Sequence, residues 1–222
     1  MGDRYTEPDF ASAALITVDV QRDTLDGAPL EVPGTSAALP AIGALVDAFR
    51  GAHRPIVHIV RLYESDGSNV DLCRRSAVED GARYLVPGAP GSQLAGDLAL
   101  AGAAALDNEL LLAGGIQNVG EKEVVIYKPR WGAFYNTPLE DYLREMQVST
   151  LVFCGCNYPN CPRTSVYEAS ERDFRVVLAP DAVSELYGRG ERELSGIGVS
   201  LLSSPEIADA LTTPPRFRSA GA

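Results

Sequence analysis

Short apolar runs rich in β-branched residues recur along the chain, and most are followed by a stretch in which apolar positions return with helical spacing. Continuous runs of this kind are typical of strands buried on both faces of a parallel sheet. They predict strands over residues 15–18, 56–60, 124–127, 151–153 and 175–178. The helical spacing predicts helices over residues 37–50, 137–146 and 164–173.

The alternation of strands and helices predicts an α/β fold in three layers, α/β/α, with a mostly parallel central sheet. The length of 222 residues and the 45% share of hydrophobic residues suit one domain of this type. We therefore expect a single domain spanning residues 1–222. The pattern leaves the order of the strands in the sheet open.

Two of the predicted strands end on an ionisable side chain. Asp19 follows the apolar run 14–18, and Lys128 follows the run 123–127. Because the carboxyl ends of parallel strands lie along one edge of a sheet, these two side chains could meet there. Each also has an ordinary structural interpretation, Asp19 as a helix cap and Lys128 as a solvated lysine.

A turn with the sequence GCNYPNC, residues 155–161, joins the strand ending near residue 154 to the next predicted helix. It places Cys161 after the carboxyl end of a strand and at the start of a helix. The partial positive charge of a helix N-terminus lowers the pKa of a thiol, so this position predicts an ionised nucleophile at the same sheet edge. The alternative is a small buried residue without chemistry, as most free cysteines are.

Taken in chain order, these segments resemble the isochorismatase-like cysteine hydrolases, which include nicotinamidases, N-carbamoylsarcosine amidases and ureidoacrylate amidohydrolases. The resembling segments are LITVDVQ at 15–21, Lys128 with AF at 133–134 and TPL at 137–139, GCNYPNC at 155–161, and VVLAPDA at 176–182. The resemblance covers nearly the whole chain. It implies an isochorismatase-like fold.

The resemblance also implies a catalytic triad of Asp19, Lys128 and Cys161. It further implies a cis peptide bond between Cys156 and Asn157, with the backbone amides of Asn157 and Cys161 forming an oxyanion hole. In this scheme Cys161 attacks a carbonyl carbon, Asp19 moves the proton, and Lys128 supplies a fixed positive charge that favours both anions.

The expected activity is hydrolysis of a C–N bond other than a peptide bond, in a small amide, a carbamoyl or ureido compound, or a lactam, through a thioester intermediate. Two alternatives stay open. One is isochorismatase-type hydrolysis of a vinyl ether, which needs no cysteine nucleophile. The other is a non-catalytic family member that acts as a binding protein.

Three further residues are candidates for contacts with the substrate. Arg61 ends the predicted strand 56–60 at the same sheet edge and could hold a carboxylate or carbonyl group, or it could pair with Glu64 or Asp66 at the surface. Trp131 and Tyr158 could form an aromatic wall beside the nucleophile. For Trp131, packing beneath the loop is the structural alternative.

The sequence predicts neither a metal nor another cofactor. Nicotinamidases of this family carry an aspartate and two histidines that bind a metal, but this chain has only His53, in a predicted turn, and His58, inside an apolar strand. A hydrogen-bonded core histidine is the more ordinary role for His58. The four cysteines favour free thiols in a reducing compartment over a disulfide or zinc framework.

Charge and composition narrow the partners. The net charge of −11 argues against a nucleic acid or an anionic membrane, and no apolar stretch approaches the length that spans a bilayer. Because the start of the chain lacks a signal-peptide pattern, we expect a cytoplasmic protein. The remaining partners are a small-molecule substrate and, through the resemblance, further copies in a homo-dimer or tetramer. Residues 63–96 predict an irregular cover over the site.

Overall fold

The computed structural model describes residues 3–96, 98 and 104–212. The strands are β1 (Ala13–Val18), β2 (Ile56–Val60), β3 (Ile116–Gly120), β4 (Glu123–Tyr127), β5 (Thr150–Gly155), β6 (Arg175–Val183) and β7 (Ser200–Leu201). The helices are α1 (Thr35–Gly51), α2 (Leu72–Glu79), α3 (Asn108–Leu112), α4 (Leu139–Glu145), α5 (Cys161–Ser170), α6 (Gly188–Gly196) and α7 (Ser204–Thr212).

The strands form one seven-stranded sheet in the order β3-β4-β2-β1-β5-β6-β7. Every neighbouring pair is parallel except β3 and β4, which run antiparallel. The predicted α/β fold with a mostly parallel sheet is therefore confirmed. β1 lies at the centre, so its carboxyl end is flanked by the ends of β2 and β5.

Alternate side chains of each central strand enter opposite layers of the core. Ala14, Ile16 and Val18 of β1 pack with apolar residues of α4, α5 and α6, whereas Ala13 and Leu15 pack with those of α1, α3 and α7. Both faces of β1 are fully buried, which explains why its sequence is a continuous apolar run instead of an alternating one.

Several elements carry weaker sequence signals and were not predicted. β3 reads IQNVG and is only partly buried, and β7 has two residues. The segment expected to be an irregular cover contains α2, whose sequence LCRRSAVE buries only Val78. Each of these elements depends on contacts with the rest of the molecule more than on its own pattern.

A close approach of two backbones shapes the edge of the sheet where the candidate residues lie. Gly155 ends β5 with φ of 117°, and a Cβ atom at this position would lie 2.2 Å from the carbonyl oxygen of Val18. The next residue, Cys156, donates its backbone amide to that same oxygen at 2.9 Å. Glycine thus lets the turn after β5 lie directly against the end of β1. In the described part of the chain, every helix is too short or too polar to traverse a bilayer.

Candidate active site

An ion pair lies at the centre of the sheet edge. Asp19 directly follows β1 and adopts φ of 54°, while Lys128 directly follows β4. The ammonium group of Lys128 donates to Oδ2 of Asp19 at 2.8 Å and to the carbonyl oxygen of Arg130 at 3.2 Å. Lys128 is fully buried and Asp19 is 6% exposed, so this pair lies out of bulk water.

The thiol of Cys161 shares this site with the carboxylate of Asp19. Burial raises the pKa of Cys161 to about 11, and the negative charge of Asp19 adds to the effect, while Lys128 and Arg61 act in the opposite direction. The expectation of a thiolate made by the helix N-terminus and Lys128 is therefore wrong for the resting protein. Desolvation and the neighbouring carboxylate outweigh the cations, and together they favour the neutral thiol.

One oxygen of Asp19 is available to accept a proton. Oδ2 is occupied by Lys128, but Oδ1 is buried and has no hydrogen-bond partner among the described residues. Interaction with the same carboxylate is one cause of the raised pKa of Cys161. A buried acceptor without a donor is costly, and it is satisfied when a proton or substrate group arrives.

Two backbone amides of the turn, those of Asn157 and Cys161, have no acceptor in the described part of the chain. The Cys156–Asn157 peptide bond is cis, and Cys161 is the first residue of α5. Within the described residues, the amides of Asn157 and Cys161 donate no hydrogen bond, whereas the intervening amide of Tyr158 donates to Ser184 at 2.9 Å. The two amides are therefore free to act as donors to a ligand oxygen.

A small cavity of about 30 Å³ adjoins Cys161, and we call it the thiol cavity. Its walls combine the sheet edge with residues of the loops that cover it. They are Asp19, Thr24, Leu30, Val32, Arg61, Tyr63, Arg74, Leu85, Cys156, Asn157 and Cys161.

The cover over the site is itself packed. Tyr63, Val70, Val78, Tyr84 and Leu85 form a separate hydrophobic cluster, and the rings of Tyr63 and Tyr84 meet edge to face at 5.8 Å between centroids. The structure thus places part of the expected cover, residues 63–96, over the thiol cavity. It is a folded segment with its own small core.

Arg61 lies where the sequence predicts, at the end of β2 on the wall of the thiol cavity, and is 3% exposed. It does not pair with Glu64 or Asp66 at the surface. Its partners are Asp71 and the hydroxyl of Tyr63, which it reaches at 2.9 Å. The surface alternative is wrong because the cover encloses Arg61 and supplies a buried carboxylate.

Trp131 and Tyr158 do not form an aromatic wall of the thiol cavity. Trp131 is partly buried and lines a different cavity of about 440 Å³, together with Leu72 and Tyr135. Tyr158 is fully buried in the core, with its ring 5.4 Å from that of Tyr187. Its backbone amide donates to the carbonyl oxygen of Ser184 at 2.9 Å.

The two histidines lie away from the thiol. His58 is fully buried, with Nδ1 2.8 Å from the hydroxyl of Thr17 and Nε2 2.8 Å from Oε1 of Glu123, so the expected core role is confirmed. Within residues 3–96, 98 and 104–212, no group of three His, Cys, Asp or Glu side chains is arranged to hold a metal ion. All four cysteines are free.

Sequence reasoning missed three residues beside Arg61. Tyr63, Asp71 and Arg74 surround the guanidinium group of Arg61 and come from the segment that was expected to be irregular. The available signal was the density of charged and aromatic residues in a stretch predicted to cover a site. That signal does not show which of them face inward.

Comparisons with known proteins agree with this fold. Residues 115–195, which contain Lys128 and Cys161, match the family model of the isochorismatase domain. A protein of Arabidopsis thaliana described as a probable inactive nicotinamidase is 26% identical over 209 residues, covering 91% of this chain and 97% of its own. A ureidoacrylate amidohydrolase of Methylobacterium radiotolerans is 28% identical over 191 residues, covering 80% and 69%.

A crystal structure shows the same similarity in three dimensions. The isochorismatase family protein of Desulfovibrio vulgaris superposes with a TM-score of 0.76 at 27% identity, covering 91% of this chain and 99% of its own. The sheet and the matches define the class of protein that this chain resembles, an α/β protein of isochorismatase-like fold with a cysteine at the carboxyl edge of its sheet. The resemblance to the isochorismatase-like hydrolases that the sequence indicates is confirmed.

Proposed function

We propose that this protein is a cysteine amidohydrolase that cleaves a C–N bond in a small amide, a carbamoyl or ureido compound, or a lactam. The observation that carries the proposal is the environment of Asp19. One oxygen is held by Lys128 at 2.8 Å, and the other is buried without a partner among the described residues, in the same small cavity as the thiol. A base beside a neutral nucleophile is the arrangement of nucleophilic catalysis.

In the first half of the reaction, Asp19 takes the proton of the thiol as the sulfur of Cys161 attacks the carbonyl carbon. Lys128 stabilises the ionised carboxylate before the transfer and the developing anion after it. The amides of Asn157 and Cys161 donate to the negative oxygen of the tetrahedral intermediate, and one such donor contributes about 3 kcal/mol. The C–N bond then breaks, and the nitrogen leaves with the proton from Asp19.

In the second half, water hydrolyses the thioester. Asp19, again ionised, accepts a proton from water while the oxygen of that water attacks the acyl carbon. The C–S bond breaks, the proton passes to the sulfur, and the acid product leaves. Asp19 and Cys161 end in the protonation states in which they began. No group is oxidised or reduced in either half of the reaction.

The names of the relatives bear on activity in two ways. The ureidoacrylate amidohydrolase is named for amide chemistry, whereas the Arabidopsis relative is described as probably lacking its activity. Asp19, Lys128 and Cys161 are all present here, and the first two form an ion pair. A protein that only bound ligands would not need this buried cluster of a carboxylate, an ammonium group and a thiol.

The test is a screen for ammonia release across primary amides, carbamoyl amino acids, ureido compounds and lactams. On the best substrate, Cys161→Ala should lower kcat by at least about 10⁴-fold, and Cys161→Ser nearly as much, because a hydroxyl is far harder to ionise. Cys73→Ser is the matched control, because Cys73 is exposed and lies outside the thiol cavity. It should retain full activity.

Turnover that survives Cys161→Ala would contradict the proposal. If the retained activity were on a vinyl ether, it would support isochorismatase-type chemistry instead. Tight binding of screened compounds without turnover would support a binding protein.

A further inference from the structure

The side chains around the thiol cavity carry more positive than negative charge. Arg61 and Arg74 line the cavity, and Lys128 lies behind its wall. Among the described side chains that line the cavity or form ion pairs with its lining, these three cations face two carboxylates, Asp19 and Asp71. One cation is therefore in excess.

The resting thiol does not neutralise this charge. Because its pKa is raised to about 11, Cys161 is uncharged near neutral pH. The hydroxyl of Tyr63 also remains neutral there, because burial raises its pKa further above the ordinary value. The guanidinium group of Arg61 is 3% exposed and is paired with Asp71, and an anionic ligand in the thiol cavity would add a second favourable charge contact.

Arg61 has one donor nitrogen to spare. Nη2 donates to Asp71 and to Tyr63, but Nη1 is buried with no hydrogen-bond partner among the described residues. Asp71 also binds Arg74 at 3.4 Å and borders the cavity of Trp131, but it does not line the thiol cavity.

We infer that the substrate carries a carboxylate near its scissile carbonyl group and that Nη1 of Arg61 binds this carboxylate. The planar guanidinium group matches a carboxylate better than a neutral carbonyl, and the excess charge favours an anion. Leu30, Val32 and Leu85 supply an apolar wall, which suits a short carbon chain between the two groups. The inference rests on the proposed function, since it places the carboxylate beside the attacking sulfur.

The competing arrangement is purely structural. Oδ1 of Asp71 is also buried without a partner, so Nη1 of Arg61 could turn toward it and complete a two-bond ion pair. Arg61 would then hold the cover in place and would not distinguish anionic from neutral ligands.

Two alkylating reagents of nearly equal shape separate these roles without knowledge of the substrate. Iodoacetate carries a carboxylate, and iodoacetamide carries a neutral amide at the same position. Both form a C–S bond to Cys161 and release iodide. The rate of labelling of Cys161 by iodoacetate is divided by its rate of labelling by iodoacetamide, both measured by mass spectrometry. This ratio is then divided by the same ratio for glutathione, which removes the difference in intrinsic reactivity between the two reagents.

We expect this normalised ratio to be about ten in the unaltered protein, because one additional charge-assisted hydrogen bond accounts for a factor of that size. Arg61→Met should bring it to about one, and Arg61→Lys should retain part of it. Arg163→Met is the matched control. Arg163 is near the start of α5 but binds Tyr187 and Glu193 instead of lining the thiol cavity, so the ratio should stay high.

A second measurement needs no variant and remains valid if Arg61→Met fails to fold. Succinate should slow the labelling of Cys161 by iodoacetamide with saturation, whereas succinamide at equal concentration should not. A normalised ratio of about one in the unaltered protein, or equal protection by both compounds, would overturn the inference but leave the cysteine mechanism intact. Absence of labelling by either reagent would overturn both.

Discussion

Two buried charge clusters lie on the same sheet, and they differ in whether their polar atoms are satisfied. The first is the cluster of Asp19, Lys128 and Cys161 at the carboxyl edge of the strands. The second consists of Arg50, His58 and Glu123 and joins the interior of β2 to the opposite end of β4. Both are enclosed by the same two-sided core.

The second cluster leaves its carboxylate fully occupied. Arg50 donates to both oxygens of Glu123, at 2.9 and 2.7 Å, and His58 lies 2.8 Å from Oε1. Although burial acts against it, these contacts hold the pKa of Glu123 at about 2, and the group is a stable anion. In the first cluster, Oδ1 of Asp19 has no partner among the described residues, and the thiol has a raised pKa.

The difference is that between a structural network and the reactive one that we propose. A satisfied network stabilises the fold, and its members have no free lone pair or proton to offer a ligand. The cluster at Asp19 leaves Oδ1 without a hydrogen-bond partner among the described residues, and in the proposed function this oxygen accepts the proton of the thiol. Substitutions in the two clusters should therefore affect different properties.

Apart from the loss of Cys161 itself, the largest expected effect is that of Asp19→Asn, which removes the proposed base. We expect kcat to fall by about 10²- to 10⁴-fold, the usual contribution of a positioned general base. The pKa of Cys161 should fall below about 11, because the carboxylate charge is one of the causes that raise it. The variant should thus lose turnover while its thiol reacts faster with iodoacetamide at a given pH.

The pH dependence of labelling at Cys161 measures this change. Asp23→Asn is the control, because Asp23 is also buried but accepts a bond from the backbone of Leu85. Asp23→Asn should leave the labelling profile unchanged. A profile that moves upward in Asp19→Asn, or activity near that of the unaltered protein, would contradict the assignment of Asp19.

Glu123→Gln should affect stability and spare catalysis. We expect the free energy of unfolding to fall by about 2 kcal/mol, less than for a fully buried pair because the side chain of Arg50 is 22% exposed. Urea denaturation measures the loss, and kcat/KM should change by less than about twofold because the cluster lies away from the thiol.

The same variant has a defined pH signature. The pKa of Glu123 is lowered from 4.5 to about 2, so its contribution to stability is present above about pH 4.5 and is lost as the pH falls toward 2. The stability difference between the unaltered protein and Glu123→Gln should narrow across that window. A constant difference would show that the contacts of Glu123 do not depend on its charge.

The smallest effect is expected for Tyr158→Phe. The hydroxyl of Tyr158 is buried with no hydrogen-bond partner in the described structure, so its removal should leave the free energy of unfolding unchanged or raise it by up to about 1 kcal/mol. Activity should be unchanged if Tyr158 is a core residue. A rise in KM without a loss of stability would instead restore it as a substrate contact.

Much of the fold could be predicted because its signals are local. A strand buried on both faces is apolar along most of its length, so β1, β2 and β5 can be recognised from their sequences. β7 and α2 were not predictable in this way, since the first has two residues and the second buries one side chain. Their formation depends on neighbours that are distant in the chain.

The sequence by itself determined the strand ends, and with them the side chains available at the sheet edge: Asp19, Arg61, Lys128 and Cys161. Only the tertiary structure decided how these groups influence one another. Strand order brought Lys128 to Asp19, and the cover enclosed Arg61 with Asp71. Burial then left the thiol of Cys161 neutral, because desolvation depends on every surrounding atom and leaves no trace in a local sequence pattern.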